Sequence, residues 1–381
     1  MEPRLPERCA HIVRIQRERG RAALTPERLD ELAGYHDRPP APADGEADGE
    51  AELLGLLTRP FSRTTDIPRY YRYTNLHVFD WFLGRRPDDQ LTGAAEALTV
   101  SLTALLAVER AAPAGAIDPA TSAERQQRLR APLDRVAELT FDPAGAVPLG
   151  EALRARESDP RARWNRFVLA ECTGFPQSDK HDEHLFLRSV HACEMVFFLV
   201  RALVLRAAET CAGDRREART RLRQAVLTAE LLNGVFSALW TMSPERFMEF
   251  RAETGDASAV QSMNYHAMEI VLYGLDPEKE KVLEEYGHLA ELRGILAEEW
   301  QAQGARVRAA GDGEMDRHLD ALLRVLRRWR GRHYGFAVRY LTPELTGSGG
   351  TEGANYLKRF VEKRGLPAPE RSRGVRTFLT C

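Results

Sequence analysis

Residues 183–209, "EHLFLRSVHACEMVFFLVRALVLRAAE", constrain the fold of this chain more than any other stretch. They contain neither glycine nor proline, and their apolar side chains recur at intervals of three and four. That period belongs to a helix and not to a half-buried strand. A helix of this length runs about 40 Å and needs apolar partners along it. Candidates with the same period lie at 92–112, 214–242, 260–274, 277–304 and 314–341. Residues 243–251 open Ser-Pro-Glu, an N-cap followed by a proline at the first helical position, and 260–274 ends in glycine. No segment keeps a period of two long enough to read as a strand, so the expected class is all-α.

Pro- and Gly-rich breaks at 38–50, 111–122 and 141–150 divide the first part of the chain. They suggest a helical extension with loops over 1–150 and a denser helical domain over 151–381. Length (381 residues) and 43% hydrophobic content are enough for a substantial core. With 54 basic against 56 acidic residues, the chain as a whole does not look like a nucleic-acid binder. The five cysteines, Cys9, Cys172, Cys193, Cys211 and Cys381, show no paired metal or redox spacing, which fits a reducing cytoplasm. The run "MVFFLV" at 195–200 is too short to span a bilayer, and no membrane partner is expected.

Within 314–341 the apolar stripe is Leu319, Leu322, Leu323, Leu326, Trp329, Phe336, Ala337 and Tyr340. His333 falls on that stripe, four after Trp329 and three before Phe336. An imidazole there is either a hydrogen-bonded core histidine or a ligand to a group inside the fold. No HxxxH or HExxH accompanies it. A lone histidine ligand suits a metal that brings its own equatorial donors, of which haem is the obvious case. Arg324, Arg327, Arg328, Arg330 and Arg332 surround it, as a solvated face or, for one or two, as partners of an anionic ligand group. A glycine-rich segment, "TGSGGTEG" (346–353), follows, with neither a P-loop lysine nor dinucleotide-binding spacing.

Two further stretches carry chemistry. On the helix that 181–198 begins, Phe186, Val190, Cys193, Phe197 and Val200 share one face, either core or the wall of an apolar pocket, and Glu194 beside them needs a partner if buried. On 243–251, Phe247 and Arg251 stand one turn apart, a ring beside a guanidinium that suits an aromatic amino acid as well as it suits an ordinary surface.

Four blocks in order, "HDEHLF" (181–186), "FMEFRAETGDASAVQS" (247–262), "WRGRH" (329–333) and "GSGGTEG" (347–353), resemble the motifs of tryptophan 2,3-dioxygenase and the related histidine-ligated haem-dependent aromatic oxygenases. The resemblance implies a helical bundle of that type with an extended N-terminal helical region. It implies His333 as the single axial ligand of a non-covalent haem b, with Gly347 and Gly350 of the loop beside the cofactor. Covalent attachment in that group needs a cysteine four residues after the histidine, and Ala337 stands there. Substrate-binding positions carried over are Phe186, Val190, Phe247, Arg251, Ser348 and Gly349: Arg251 for the carboxylate, Ser348 for the ammonium group, and Phe247 for a tyrosine whose hydroxyl is lost.

Val190 departs from the family, which has a distal histidine four residues before the glutamate matched by Glu194. His191 is displaced by ~100° around the helix and should not replace it. The implied activity is insertion of oxygen from O₂ into the indole ring of tryptophan or a substituted tryptophan. One alternative is a haem-dependent monooxygenase or hydroxylase of a modified tryptophan or tyrosine in natural-product biosynthesis; another is a non-catalytic haem-binding helical protein. Family members are usually homo-oligomers, so a dimer or tetramer is expected.

Overall fold

A computed structural model describes residues 3–38, 48–87, 89–141, 146–276, 280–290, 292, 302–341, 357, 358 and 361. Among these the architecture is all-α, and the only β-type pairing is an isolated bridge between Thr140 and Pro148. In chain order the helices are α1 (Glu7–Glu18), α2 (Pro26–Asp37), α3 (Asp48–Thr58), α4 (Arg69–Thr74), α5 (Leu76–Gly84), α6 (Gln90–Arg110), α7 (Pro119–Glu138) and α8 (Leu149–Ala155). There follow α9 (Pro160–Glu171), α10 (His181–Thr210), α11 (Arg215–Leu239), α12 (Pro244–Arg251), α13 (Met263–Tyr273), α14 (Glu280–Glu285), α15 (Gln303–Ala309) and α16 (Gly313–Tyr340).

Helix α10 is the axis of the molecule. It packs against α11, α6 and α13, and α16 lies along α11. One apolar core joins Leu54, Phe79 and Leu98 from the first part of the chain to Val196, Leu232 and Leu326 from the second. Helix α6 has the length and apolar character of a membrane span, more so than the 195–200 run, but most of it is buried against α10 and α7.

Local chemistry places the boundaries. Asp118, Asp159, Asp214, Ser243, Ser262 and Asp312 each accept a backbone N–H from the first turn of the helix they precede. Pro119, Pro160 and Pro244 occupy the first helical positions. Gly274, at φ +78°, stops α13 as expected. The helix expected over 277–304 is interrupted: α14 ends at Glu285 and a 3-10 turn follows at Gly287–Leu289. Gly287 weakens the helical run there, and His288 bonds the Gln261 carbonyl at 2.8 Å, which ties the turn to the neighbouring segment. Helices α3, α7 and α8 start inside stretches expected to be loops.

Candidate functional site

The predicted site residues of the described chain meet at one cavity of about 240 Å³. Phe186 and Val190 reach it from α10, Phe247 and Arg251 from α12, and His333 from α16. The chain turns by 95° between α11 and α12, and this bend carries Phe247 and Arg251 across the end of the bundle. Gly347, Ser348, Gly349 and Gly350 lie outside the described residues. Leu341 and Leu357, on either side of that segment, both line the cavity.

Aromatic contacts set the walls. Phe197 of α10 meets Trp329 of α16 at 5.3 Å between ring centroids. Phe186 meets Phe247 at 5.7 Å, and Phe247 in turn meets Phe336 at 5.9 Å. Between these two ends α10 presents Ser189, Val190 and Cys193, while α16 presents His333. The imidazole of His333 stacks on Trp329 (5.6 Å, 26°) and sits edge-on to Phe236 (5.6 Å). It makes no hydrogen bond among the described residues, and burial alone pushes its pKa down to about 4. It is therefore neutral at pH 7, with a ring nitrogen left for a ligand. A satisfied core histidine would look different: His191 gives its Nε2 to the Thr74 carbonyl at 2.6 Å, and His77 gives its own to Leu56 O at 2.8 Å.

Arg251 brings a cation to the cavity. Its side chain forms no ion pair among the described residues, and burial lowers its pKa, partly offset by the field of Asp256. That carboxylate is itself taken by Arg69 at 3.0 Å. The other arginines near His333 have different duties. Arg330 is buried against Glu269 Oε1 and the Tyr273 hydroxyl, each at 2.7 Å, Arg332 donates to Asn233 O at 2.9 Å, and Arg328 pairs with Glu230.

Val190 faces the cavity, and His191 on the next position faces away into the core beside Phe79. Glu194 is 1% exposed, and burial raises its pKa. Its oxygens accept from the Tyr70 hydroxyl at 2.6 Å and from Asn264 Nδ2 at 3.0 Å. Tyr70, Phe236 and Tyr265 line the cavity without having been singled out from the sequence. The cluster "RYYRY" at 69–73 was the one available signal for Tyr70. Among the described residues no group of three or more His, Cys, Asp or Glu side chains forms a metal cluster, so a metal here would rest on His333 alone.

The sequence model of the tryptophan 2,3-dioxygenase family matches residues 171–289. A tryptophan 2,3-dioxygenase from Ruegeria pomeroyi is 28% identical over 240 residues, which is 51% of this chain and 85% of that protein. Tryptophan 2,3-dioxygenases from a Bradyrhizobium species and from Bacillus cereus are 26% and 25% identical, over 49% and 50% of this chain and 82% and 83% of their own lengths.

Proposed function

We propose, for a chain that is tryptophan 2,3-dioxygenase-like in sequence and all-α in fold, a role as a haem-dependent oxygenase of an aromatic amino acid, with tryptophan or a ring-substituted tryptophan as substrate. One observation carries the reading: a neutral imidazole, His333, and a guanidinium, Arg251, neither with a partner among the described residues, border the same aromatic cavity. The donor set fits haem b, which His333 would hold, because a lone nitrogen ligand in an apolar cleft suits a metal that brings its other donors with it. Haem, when bound, would supply the activation of O₂. The chain's own residues bind and orient. Arg251 pairs with the substrate carboxylate, Phe186 and Phe247 flank its ring, and the apolar lining excludes water from the reacting end.

Val190 favours a second outcome at the same site. With valine on the cavity wall and His191 bonded to Thr74 O, neither position offers a base to the ring. Transfer of a single oxygen, to a modified tryptophan or a tyrosine, suits such a wall. A non-catalytic haem protein would have no use for Arg251. Product masses from a panel of tryptophans and tyrosines, given O₂ and reductant, separate the readings. A gain of two oxygen atoms supports dioxygenation, and a gain of one supports monooxygenation. Absence of a His333-dependent Soret band from the haem-treated protein defeats the proposal.

A further inference from the structure

Every polar side chain on the α10 wall of the cavity is accounted for except one. Glu194 is occupied by Tyr70 and Asn264. Burial pushes the Cys193 thiol far up, so it remains an uncharged, weak hydrogen-bonding group. Ser189 is 1% exposed, lines the cavity, and its hydroxyl has no hydrogen-bond partner among the described residues.

That isolation is unusual in this molecule. A serine or threonine inside a helix ordinarily returns its hydroxyl to the carbonyl four residues back. Thr74 does so to Tyr70 O at 2.6 Å, Ser101 to Ala97 O at 2.9 Å, and Thr210 to Arg206 O at 2.8 Å. Thr228 of α11 is also unpaired, but it does not border the cavity. A buried hydroxyl without a partner carries a desolvation penalty, which a ligand that bonds it removes. Ser189 also lies between the two aromatic ends of the wall, next to Val190, on the stretch of α10 facing the segment of α16 that bears His333.

We propose that Ser189 reads the ring of the substrate, hydrogen-bonding an indole N–H or a phenol O–H, and so selects aromatic amino acids whose ring carries such a group. The assignment rests on the reading of the cavity as an aromatic amino-acid site. A hydroxyl accepts as well as donates, so it complements either ring group. The Trp329 indole nitrogen on the opposite wall is also unpaired, but it only donates and cannot take a ring N–H. No free charge stands on the α10 wall, which suits a neutral ring and leaves the carboxylate to Arg251. A ring without a hydrogen-bonding atom would leave Ser189 buried and unpaired.

The test is calorimetric titration of the haem-loaded, full-length protein with two ligand pairs: L-tryptophan against 1-methyl-L-tryptophan, and L-tyrosine against L-phenylalanine. The parent should favour the member bearing the ring donor in at least one pair by about 3- to 10-fold, the worth of one neutral hydrogen bond. Ser189→Ala should bring that ratio close to one, and Ser189→Thr, which keeps the hydroxyl, should preserve it. A parent that binds these ligands with no preference in either pair overturns the proposal, as does a preference that survives in Ser189→Ala. Failure of the parent to bind any of the four refutes the aromatic amino-acid site itself.

Discussion

Asp182, second residue of the block "HDEHLF", is 2% exposed and lies 2.6 Å from the guanidinium of Arg125, which is wholly buried. Arg125 also bonds Glu109 Oε1 at 2.9 Å and the Thr241 hydroxyl at 2.9 Å. His181 stands 3.3 Å from the other oxygen of Glu109, and Glu183 accepts the backbone N–H groups of Gln177 and Ser178 at 2.7 Å each. The start of this block therefore holds α6, α7, α10 and the turn after α11 together. Asp182→Ala should destabilise the fold by about 1.5–3 kcal/mol in urea unfolding, because it withdraws one of the two carboxylates that bond the buried Arg125 and leaves it Glu109 alone. Arg251 answers differently to substitution, since nothing in the described protein pairs with it. Arg251→Ala should weaken binding of an aromatic amino acid by about 10- to 150-fold in calorimetry. It should leave binding of the corresponding amino-acid amide nearly unchanged, with little change in melting temperature.

Period and capping made most helices legible in the sequence, and Phe186, Val190, Phe247, Arg251 and His333, singled out there, line one cavity. The contribution of α4 was not legible. Tyr70 reaches Glu194 across 124 residues of chain, and its backbone N–H is fixed by the Gln261 side chain at 3.1 Å. Contacts of that separation are set by packing, which leaves no periodic trace in the sequence. Tyr70→Phe should cost about 1–3 kcal/mol in urea unfolding, since it withdraws one of the donors that satisfy a buried carboxyl group. The N-terminal turn is attached just as specifically. Gly20 has φ +80°, and a Cβ there would lie 2.3 Å from the Gln177 carbonyl oxygen, while Arg21 and Ala22 donate to Pro176 O and Gln177 O at 3.0 and 2.8 Å. Backbone cannot yield as a side-chain tip can. Gly20→Ala should therefore lower the melting temperature and increase protease cutting ahead of α2, and no change in either would contradict this docking.

At the scale of the whole molecule, two buried histidines fasten helices of the first part of the chain, one linking two of them to each other and the other linking one to α10. His77 of α5 holds Leu56 O of α3, and His191 of α10 holds Thr74 O of α4. Burial pushes both pKa values down to about 3. In the unfolded chain each ring takes up a proton near pH 6.5, while in the folded protein each stays neutral until about pH 3. The unfolded state thus binds more protons across that window, and stability falls as pH falls from 6.5 towards 3. Asp80, whose pKa burial raises to about 6, and Glu183 and Glu194, both raised, work in the opposite direction at the acid end, so the parent's total pH profile mixes the two contributions. A difference measurement separates them. His191→Gln keeps a side-chain amide able to donate to Thr74 O and removes the titration. The stability of the parent relative to this variant should decline by about 1.4 kcal/mol per pH unit below pH 6, measured by urea unfolding at each pH. A parent–variant difference that stays flat between pH 6 and 4 would mean that His191 is not held neutral in the core.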